Sequence, residues 1–263
     1  MKKERSGYIK AGGKNLFYQI LHEEWLSADK PLLVFLHEGL GSVAQWKDFP
    51  NSLAFHVKCP ALLYDRYGYG KSEALSEPRY TRYLHDEALV TLPELFRNLG
   101  FEHLRKILVG HSDGATIALM HAGAFPGKIA GIVSEAAHVL VEPATISGIL
   151  EVRALMKTAR FRELLERYHG EKTAFTANSW VENWLSEESM TWNVEEYLPG
   201  ITCPVLAVQG TEDQFGSEAQ LDSIRKNISG PAEILLIPGC GHIPHKQARD
   251  LVLKKMSEFI FMI

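Results

Sequence analysis

Short, continuous apolar runs alternate with amphipathic stretches along most of this 263-residue chain. Six of the runs have the length of buried strands, and they cover residues 31–37, 61–65, 106–110, 129–134, 205–209 and 233–237. Continuous runs of this kind are expected in a parallel sheet that helices cover on both faces. The alternation therefore predicts an α/β protein with a doubly wound, mostly parallel sheet, in which ligands bind at the carboxyl ends of the strands.

Two further stretches extend the predicted core. Residues 8–21 contain Gly12-Gly13 between two strand-like pieces, which predicts an antiparallel hairpin at an edge of the sheet. Residues 80–99 carry apolar side chains at spacings of three and four, which predicts a helix. Pro93 lies inside this stretch and should kink or restart the helix.

Residues 140–200 interrupt the alternation because they contain no buried-strand run. Two amphipathic stretches, 146–168 and 175–185, predict helices here instead. An all-helical insertion between two strands would lie over their carboxyl ends. We therefore predict a core formed by residues 1–139 and 201–263, and a helical cap (lid) of residues 140–200 whose Trp180 and Trp184 are candidates for the wall of a substrate pocket.

Composition restricts the expected partners and location. The net charge of −4 gives no reason to expect nucleic acid or an acidic membrane as partner. No apolar run approaches the roughly 18 residues of a membrane span, and no signal-like stretch follows the start, so the cytoplasm is the expected location. Three widely separated cysteines without a CxxC pair predict reduced thiols, and no motif predicts a metal or another cofactor.

A serine lies between a predicted strand and a predicted helix, in the sequence Gly-His-Ser-Asp-Gly of residues 110–114. A strand-turn-helix this sharp needs neighbours that are nearly free of side chain, as Gly110 and Gly114 are. The turn would expose the Ser112 hydroxyl and direct the N–H groups of Ser112 and Asp113 toward a ligand. We predict that Ser112 is a nucleophile.

A serine nucleophile needs a base, and the base needs an acidic partner that orients it. Asp213 follows the strand 205–209, and His242 lies on a Gly-rich loop after the strand 233–237, so both side chains are expected at the sheet edge where Ser112 projects. Glu135 follows the strand 129–134 and is a second candidate for the acid. His138, together with Glu135, is a candidate for the pocket.

A candidate oxyanion hole follows the first buried strand, in the loop His37-Glu38-Gly39-Leu40-Gly41. The backbone N–H of Gly39 or Leu40 would lie across the site from that of Asp113. Each such donor lowers the activation free energy by about 3 kcal/mol. Glu38 introduces a carboxylate into the same loop. It would repel anionic substrates, take part in the chemistry, or point away in a salt bridge.

Together these motifs resemble those of the α/β-hydrolase superfamily over almost the whole chain. Residues 110–114 are similar to its nucleophile elbow, residues 210–213 to its acid turn, and Gly241-His242 to its histidine loop. Residues 65–72 are similar to the D-x-x-G-x-G-x-S loop of esterase-like and C–C-bond-hydrolase-like members. Glu38 departs from the common His-Gly form of the oxyanion loop. The resemblance implies a cofactor-free serine hydrolase with a helical cap.

Three functions remain open at this point. The leading interpretation is hydrolysis of an ester, thioester or lactone of a small to medium apolar molecule through an acyl-enzyme. The second is hydrolysis of a carbon–carbon bond in a ring-cleavage diketone, which basic side chains inside the cap would favour; Arg153, Arg160 and Arg162 are candidates. The third is a receptor-like protein that binds a small molecule on a hydrolase fold. The sequence gives no oligomeric state.

Overall fold

An eight-stranded sheet forms the centre of the computed structural model, which describes residues 5–263. The strands are β1 (Arg5–Ala11), β2 (Lys14–Leu21), β3 (Leu32–Leu36), β4 (Ala61–Tyr64), β5 (Lys106–His111), β6 (Gly131–Glu135), β7 (Val205–Gly210) and β8 (Ala232–Ile237). Their order across the sheet is β1-β2-β4-β3-β5-β6-β7-β8. The pairs β1/β2 and β2/β4 are antiparallel and the other pairs are parallel, so the predicted fold class is confirmed.

Helices cover both faces of the sheet. They are α1 (Phe49–Val57), α2 (Tyr83–Asp86), α3 (Leu92–Asn98), α4 (Asp113–Ala124), α5 (Pro143–Leu155), α6 (Ala159–His169), α7 (Thr173–Trp184), α8 (Ala219–Asn227), α9 (Pro244–Gln247) and α10 (Arg249–Phe261). Strand side chains alternate between two apolar layers, with Val34 and Leu108 in one and Leu33 and Val109 in the other. Within residues 5–263, no helix is long and apolar enough to cross a membrane.

The predicted hairpin and the predicted effect of Pro93 are both confirmed. Strands β1 and β2 pair at the edge of the sheet around Gly12 and Gly13, which have positive φ angles of 60° and 71°. Helix α2 widens into a π-helical segment, Glu87–Thr91, and α3 restarts at Leu92 with Pro93 in its first turn. Proline lacks an N–H and its ring clashes with the carbonyl four residues earlier, which explains the restart at this place.

Residues 140–200, which we call the helical segment, join β6 to β7. The predicted helix over 146–168 is divided in two, so the expectation of one helix was wrong. Helix α5 begins earlier than predicted because Glu142 and Thr145 form a capping box. Thr158 then starts α6, since its hydroxyl accepts a hydrogen bond from the N–H of Phe161 at 3.4 Å.

Candidate active site

Ser112 lies at the sharp turn between β5 and α4. Its φ angle is 52°, an unusual value for a residue with a side chain, and α4 begins at the next residue. A Cβ atom at Gly114 would lie 1.9 Å from the carbonyl oxygen of Leu36, and one at Gly110 would lie 2.3 Å from that of Gly114. The turn therefore has room for glycine alone at both positions.

The structure brings Ser112, His242 and Asp213 together in a chain of hydrogen bonds. The Ser112 Oγ lies 3.0 Å from His242 Nε2, and His242 Nδ1 lies 2.8 and 3.0 Å from the two carboxylate oxygens of Asp213. The ring can donate its Nδ1 proton to Asp213 and accept the hydroxyl proton at Nε2. This is the order of contacts that a serine nucleophile, a base and an orienting acid require.

The loops after β7 and β8 hold Asp213 and His242 against each other. The N–H of Glu212 donates to the carbonyl oxygen of Cys240 at 2.8 Å, and Gly210 packs so closely on Cys240 that a Cβ would lie 2.0 Å from the same oxygen. Burial opposes ionisation of Asp213, but its bonds to His242 and to the N–H of Phe215 outweigh burial and lower its pKa. Asp213 is therefore a carboxylate over the whole neutral range.

The N–H groups of Gly39, Leu40 and Asp113 have no hydrogen-bond partner among the described residues, as an oxyanion hole requires. The N–H of Ser112 differs from the prediction, because it donates to the carbonyl oxygen of Glu135 at 2.8 Å. The Ser112 N–H is therefore not free to bind an oxyanion. Its bond to β6 holds the elbow in place.

Arg66 connects the two sides of this candidate oxyanion hole, a role that the sequence did not predict. Its Nη2 donates to the carbonyl oxygen of Glu38 at 2.7 Å and contacts the Asp113 carboxylate at 3.3 Å. The same carbonyl accepts from Nδ1 of His37 at 2.8 Å, and Tyr83 donates to Asp113 at 2.7 Å. The only sequence signal for Arg66 is its place in the loop of residues 65–72, directly after the apolar run that forms β4.

Glu38 lies on the wall of the site and pairs with a buried histidine of the elbow. Its carboxylate is 3.5 Å from Nδ1 of His111, whose Nε2 donates to the carbonyl oxygen of His242 at 2.7 Å. Burial opposes ionisation of Glu38, but His111 and then Lys246 outweigh it and lower its pKa. The carboxylate of Glu38 is therefore charged at neutral pH. Glu38 therefore contacts His111 while it still lines the cavity, so it does not point away from the site.

Glu135 is fully buried and lies away from the cavity wall, so its place among the pocket candidates was wrong. Its carboxylate accepts from the backbone N–H of His245 at 2.6 Å and contacts the His245 ring at 2.9 and 3.0 Å. Glu135 misses the cavity because β6 ends next to the residues that follow His242, and its side chain points toward His245. Among the described residues, Glu135 forms its side-chain hydrogen bonds with His245 and none with His242.

A cavity of about 350 Å³ opens beside Ser112. The sheet side contributes Glu38, Gly39, Leu40, Asp113 and His138, and the helical segment contributes a wall of mostly apolar side chains: Ile149, Val152, Leu155, Phe161, Leu164, Leu165, Trp180 and Trp184. Burial lowers the pKa of His138, which donates from Nε2 to the carbonyl oxygen of Phe215 at 3.0 Å.

Basic side chains are scarce around this cavity. Lys246 is the one lysine or arginine on its wall among the described residues, whereas Arg153, Arg160 and Arg162 are exposed and lie outside it. Across residues 5–263, no group of three or more His, Cys, Asp or Glu side chains is arranged to hold a metal ion.

The alpha/beta hydrolase family model matches residues 33–254. The chain belongs to this family. No curated protein matches the chain. Solved structures of similar fold include MGS-M2, an alpha/beta hydrolase enzyme from a Medee basin deep-sea metagenome library, with 20% sequence identity and a TM-score of 0.76; the match covers 98% of each chain.

Two further neighbours carry names of specific activities. The enol-lactonase from Burkholderia xenovorans LB400 has 20% identity and a TM-score of 0.73, over 97% of this chain and 100% of that one. The 2-hydroxy-6-oxo-6-phenylhexa-2,4-dienoate hydrolase of Rhodococcus sp. strain RHA1 has 15% identity and a TM-score of 0.75, over 100% of both chains. At these identities the similarity establishes the fold.

Proposed function

We propose that this hydrolase cleaves the ester, thioester or lactone bond of a small to medium apolar molecule, with Ser112 as nucleophile, His242 as base and Asp213 as the orienting acid. The observation that carries the proposal is the hydrogen-bonded chain from Ser112 through His242 to Asp213, which opens onto a mostly apolar cavity.

Acylation begins when the Ser112 oxygen attacks the carbonyl carbon and its proton moves to His242 Nε2. The resulting imidazolium is stabilised by Asp213, and the tetrahedral oxyanion accepts hydrogen bonds from Asp113 and from Gly39 or Leu40. His242 then protonates the leaving oxygen or sulfur, and the acyl group remains on Ser112.

Deacylation repeats these steps with water. His242 removes a proton from the water as its oxygen attacks the acyl carbon, which gives a second tetrahedral intermediate. When this intermediate collapses, the bond from the acyl carbon to Ser112 Oγ breaks, His242 Nε2 returns its proton to Ser112 Oγ, and the acid leaves. No cofactor enters this sequence. The N–H of Asp113 and that of Gly39 or Leu40 stabilise the oxyanion in both half-reactions. A single arrangement of the site therefore serves both.

The cavity favours a neutral, apolar acyl group. Its volume of about 350 Å³ is near the lower end of the usual range for small-molecule sites, and aliphatic and aromatic side chains dominate its wall. The charged Glu38 on the same wall disfavours an anionic acyl group. We further propose that the helical segment acts as a cap, because it supplies the apolar wall opposite the sheet.

The two alternatives have weaker support. A carbon–carbon-bond hydrolase would bind a carboxylated diketone, and the arginines of the helical segment that were candidates for this task lie outside the cavity. The neighbour with that activity is 15% identical to this chain, and this identity is too low to infer that the two proteins share a substrate. A receptor would bind a ligand at the same site with slow turnover, and a rate measurement distinguishes it from an enzyme.

A graded substrate panel tests the proposal. We expect turnover of p-nitrophenyl esters that rises from acetate to a medium-length acyl chain, and loss of that turnover in Ser112→Ala. A protein that hydrolyses only a ring-cleavage diketone would contradict ester hydrolysis. Tight binding of the esters without turnover would favour the receptor.

A further inference from the structure

The helical segment is fastened to the loop of residues 66–79 by a row of polar side chains. They lie on one side of the α6–α7 connection, at spacings of three and four. His169 accepts from the N–H of Gly70, Lys172 donates to the carbonyl oxygens of Tyr69 and Ser72, Thr176 donates to that of Gly68, and Ser179 accepts from the N–H of Arg79.

His169 differs from the rest of this row because it also reaches the oxyanion loop. Its Nδ1 accepts from the N–H of Gly70 at 3.0 Å, and its Nε2 lies 3.0 Å from the carbonyl oxygen of Leu40. A carbonyl can only accept, so the ring is the neutral tautomer with its proton on Nε2. Burial lowers the pKa of His169, which keeps the ring in this form at neutral pH.

The bond to Leu40 completes the fixation of the oxyanion donors. The Gly39 and Leu40 N–H groups lie between two carbonyls, those of Glu38 and Leu40. The first carbonyl is held from the core by Arg66 and His37, and the second is held by His169 of the helical segment. The Glu38 carbonyl also accepts from the N–H of Gly41 at 3.1 Å, which closes a turn over residues 38–41. The Glu38–Gly39 and Leu40–Gly41 peptides are therefore both held, and these two fixed neighbours restrict rotation of the Gly39–Leu40 peptide between them.

Trp180, on the helical segment, packs against the Gly39–Leu40 backbone. A Cβ atom at Gly39 would lie 2.4–2.7 Å from atoms of the Trp180 indole, so the ring packs directly against the Gly39 backbone. The helical segment thus contacts both residues that carry the candidate donors.

We propose that His169 is a positioning residue for the oxyanion hole: by bonding the Leu40 carbonyl it fixes the direction of the Gly39 and Leu40 N–H groups. The helical segment therefore contributes to the rate of the chemical step as well as to substrate fit. This inference rests on the proposed function, because it assigns a task within the same reaction.

Two substitutions at His169 separate its two hydrogen bonds. The amide nitrogen of Gln can take the place of Nε2 and donate to Leu40, whereas the amide oxygen of the shorter Asn can take the place of Nδ1 and accept from Gly70. Thr176→Val is the matched control, because it removes a buried bond between the helical segment and the same loop without touching Leu40.

We expect His169→Asn to lower kcat on the best ester by about 10- to 100-fold with KM changed less than about 3-fold, since a misdirected donor costs less than the roughly 10²–10³ of a deleted one. His169→Gln should stay within about 3-fold of the wild-type kcat, as should Thr176→Val. Thermal unfolding of each variant checks that it is folded. If His169→Asn does not fold, His169→Met, which has the length of Gln and no donor, replaces it.

Equal kcat in His169→Asn and wild type would overturn the inference, and so would equal losses in His169→Asn and Thr176→Val without recovery in His169→Gln. The latter result would mean that His169 only docks the helical segment. Ser112→Ala is measured beside them. Activity retained in that variant would instead refute the proposed function.

Discussion

Two carboxylates compete for the role of triad acid, and a pair of substitutions distinguishes them. Asp213→Asn and Glu135→Gln each replace a buried carboxylate by an amide of nearly the same shape. We expect the first to abolish catalysis with a small effect on stability, and the second to lower stability with a much smaller effect on catalysis. Glu233→Gln changes a partly exposed carboxylate and serves as the control.

The size of the catalytic effect follows from the bond to His242. Asp213 accepts the Nδ1 proton of His242 at 2.8 and 3.0 Å, and an amide nitrogen in its place would favour the wrong tautomer of the ring. A loss of about 10⁴-fold in kcat is expected for such a change. The amide oxygen can still accept from Phe215, so we expect a stability loss of about 1 kcal/mol.

The size of the stability effect follows from the burial of Glu135. Its carboxylate is inaccessible to solvent and is bonded to both the backbone and the ring of His245. Removing one partner of a buried pair costs about 3–5 kcal/mol, and because Gln retains one acceptor we expect about 3 kcal/mol. For a chain of this size, that loss lowers the melting temperature by roughly 6–12 °C.

The assay measures kcat/KM with a p-nitrophenyl ester and thermal unfolding by circular dichroism on the same samples. A loss of about 10⁴-fold in Glu135→Gln at an unchanged melting temperature, together with an active Asp213→Asn, would refute the assignment. It would identify Glu135 as the acid. Similar losses of activity in both variants, with both folded, would refute the separation of roles.

Three further predictions concern the pocket and the response to pH. Trp180→Ala should shift the preferred acyl length in a p-nitrophenyl ester series with less effect on the acetate ester, and an unchanged profile would mean that Trp180 only packs the helical segment. Glu38→Gln should raise the rate on a hemisuccinate ester relative to a neutral ester by about 10-fold, because a charge on the cavity wall is removed; an unchanged ratio would contradict the placement of Glu38. Burial lowers the pKa of His121 to about 4, so the unfolded chain binds an extra proton as the pH falls from about 6.5 to about 4, and stability decreases by about 3 kcal/mol over that interval. Urea unfolding of His121→Gln should therefore vary less with pH than that of the wild type, and equal slopes would refute this.

The local sequence predicts those parts of the site that depend on short-range geometry. The six apolar runs became strands because helices cover both faces of the sheet, and the elbow glycines were recognisable because no Cβ fits beside Leu36 or within the turn. Asp213 and His242 were predictable for a similar reason. Each follows a parallel strand, and the carboxyl ends of such strands meet at one edge.

Contacts between residues that are distant in the chain were not predictable in this way. Arg66 and His169 are separated by 103 positions, yet they hold the two carbonyls on either side of the Gly39–Leu40 segment. Nothing in the sequence around His169 distinguishes it from a solvated histidine of an amphipathic helix. Glu135 was misplaced because its position at the end of β6 gives the edge of the sheet but not the direction of its side chain.

If Ser112 carries the acyl group, a covalent adduct can be trapped on its oxygen. The intact protein is treated with a fluorophosphonate, and the labelled peptide is identified by mass spectrometry. We expect one adduct, on Ser112, with loss of esterase activity in proportion to labelling and no labelling of folded Ser112→Ala. Labelling of another residue, or full turnover by Ser112→Ala, would contradict it.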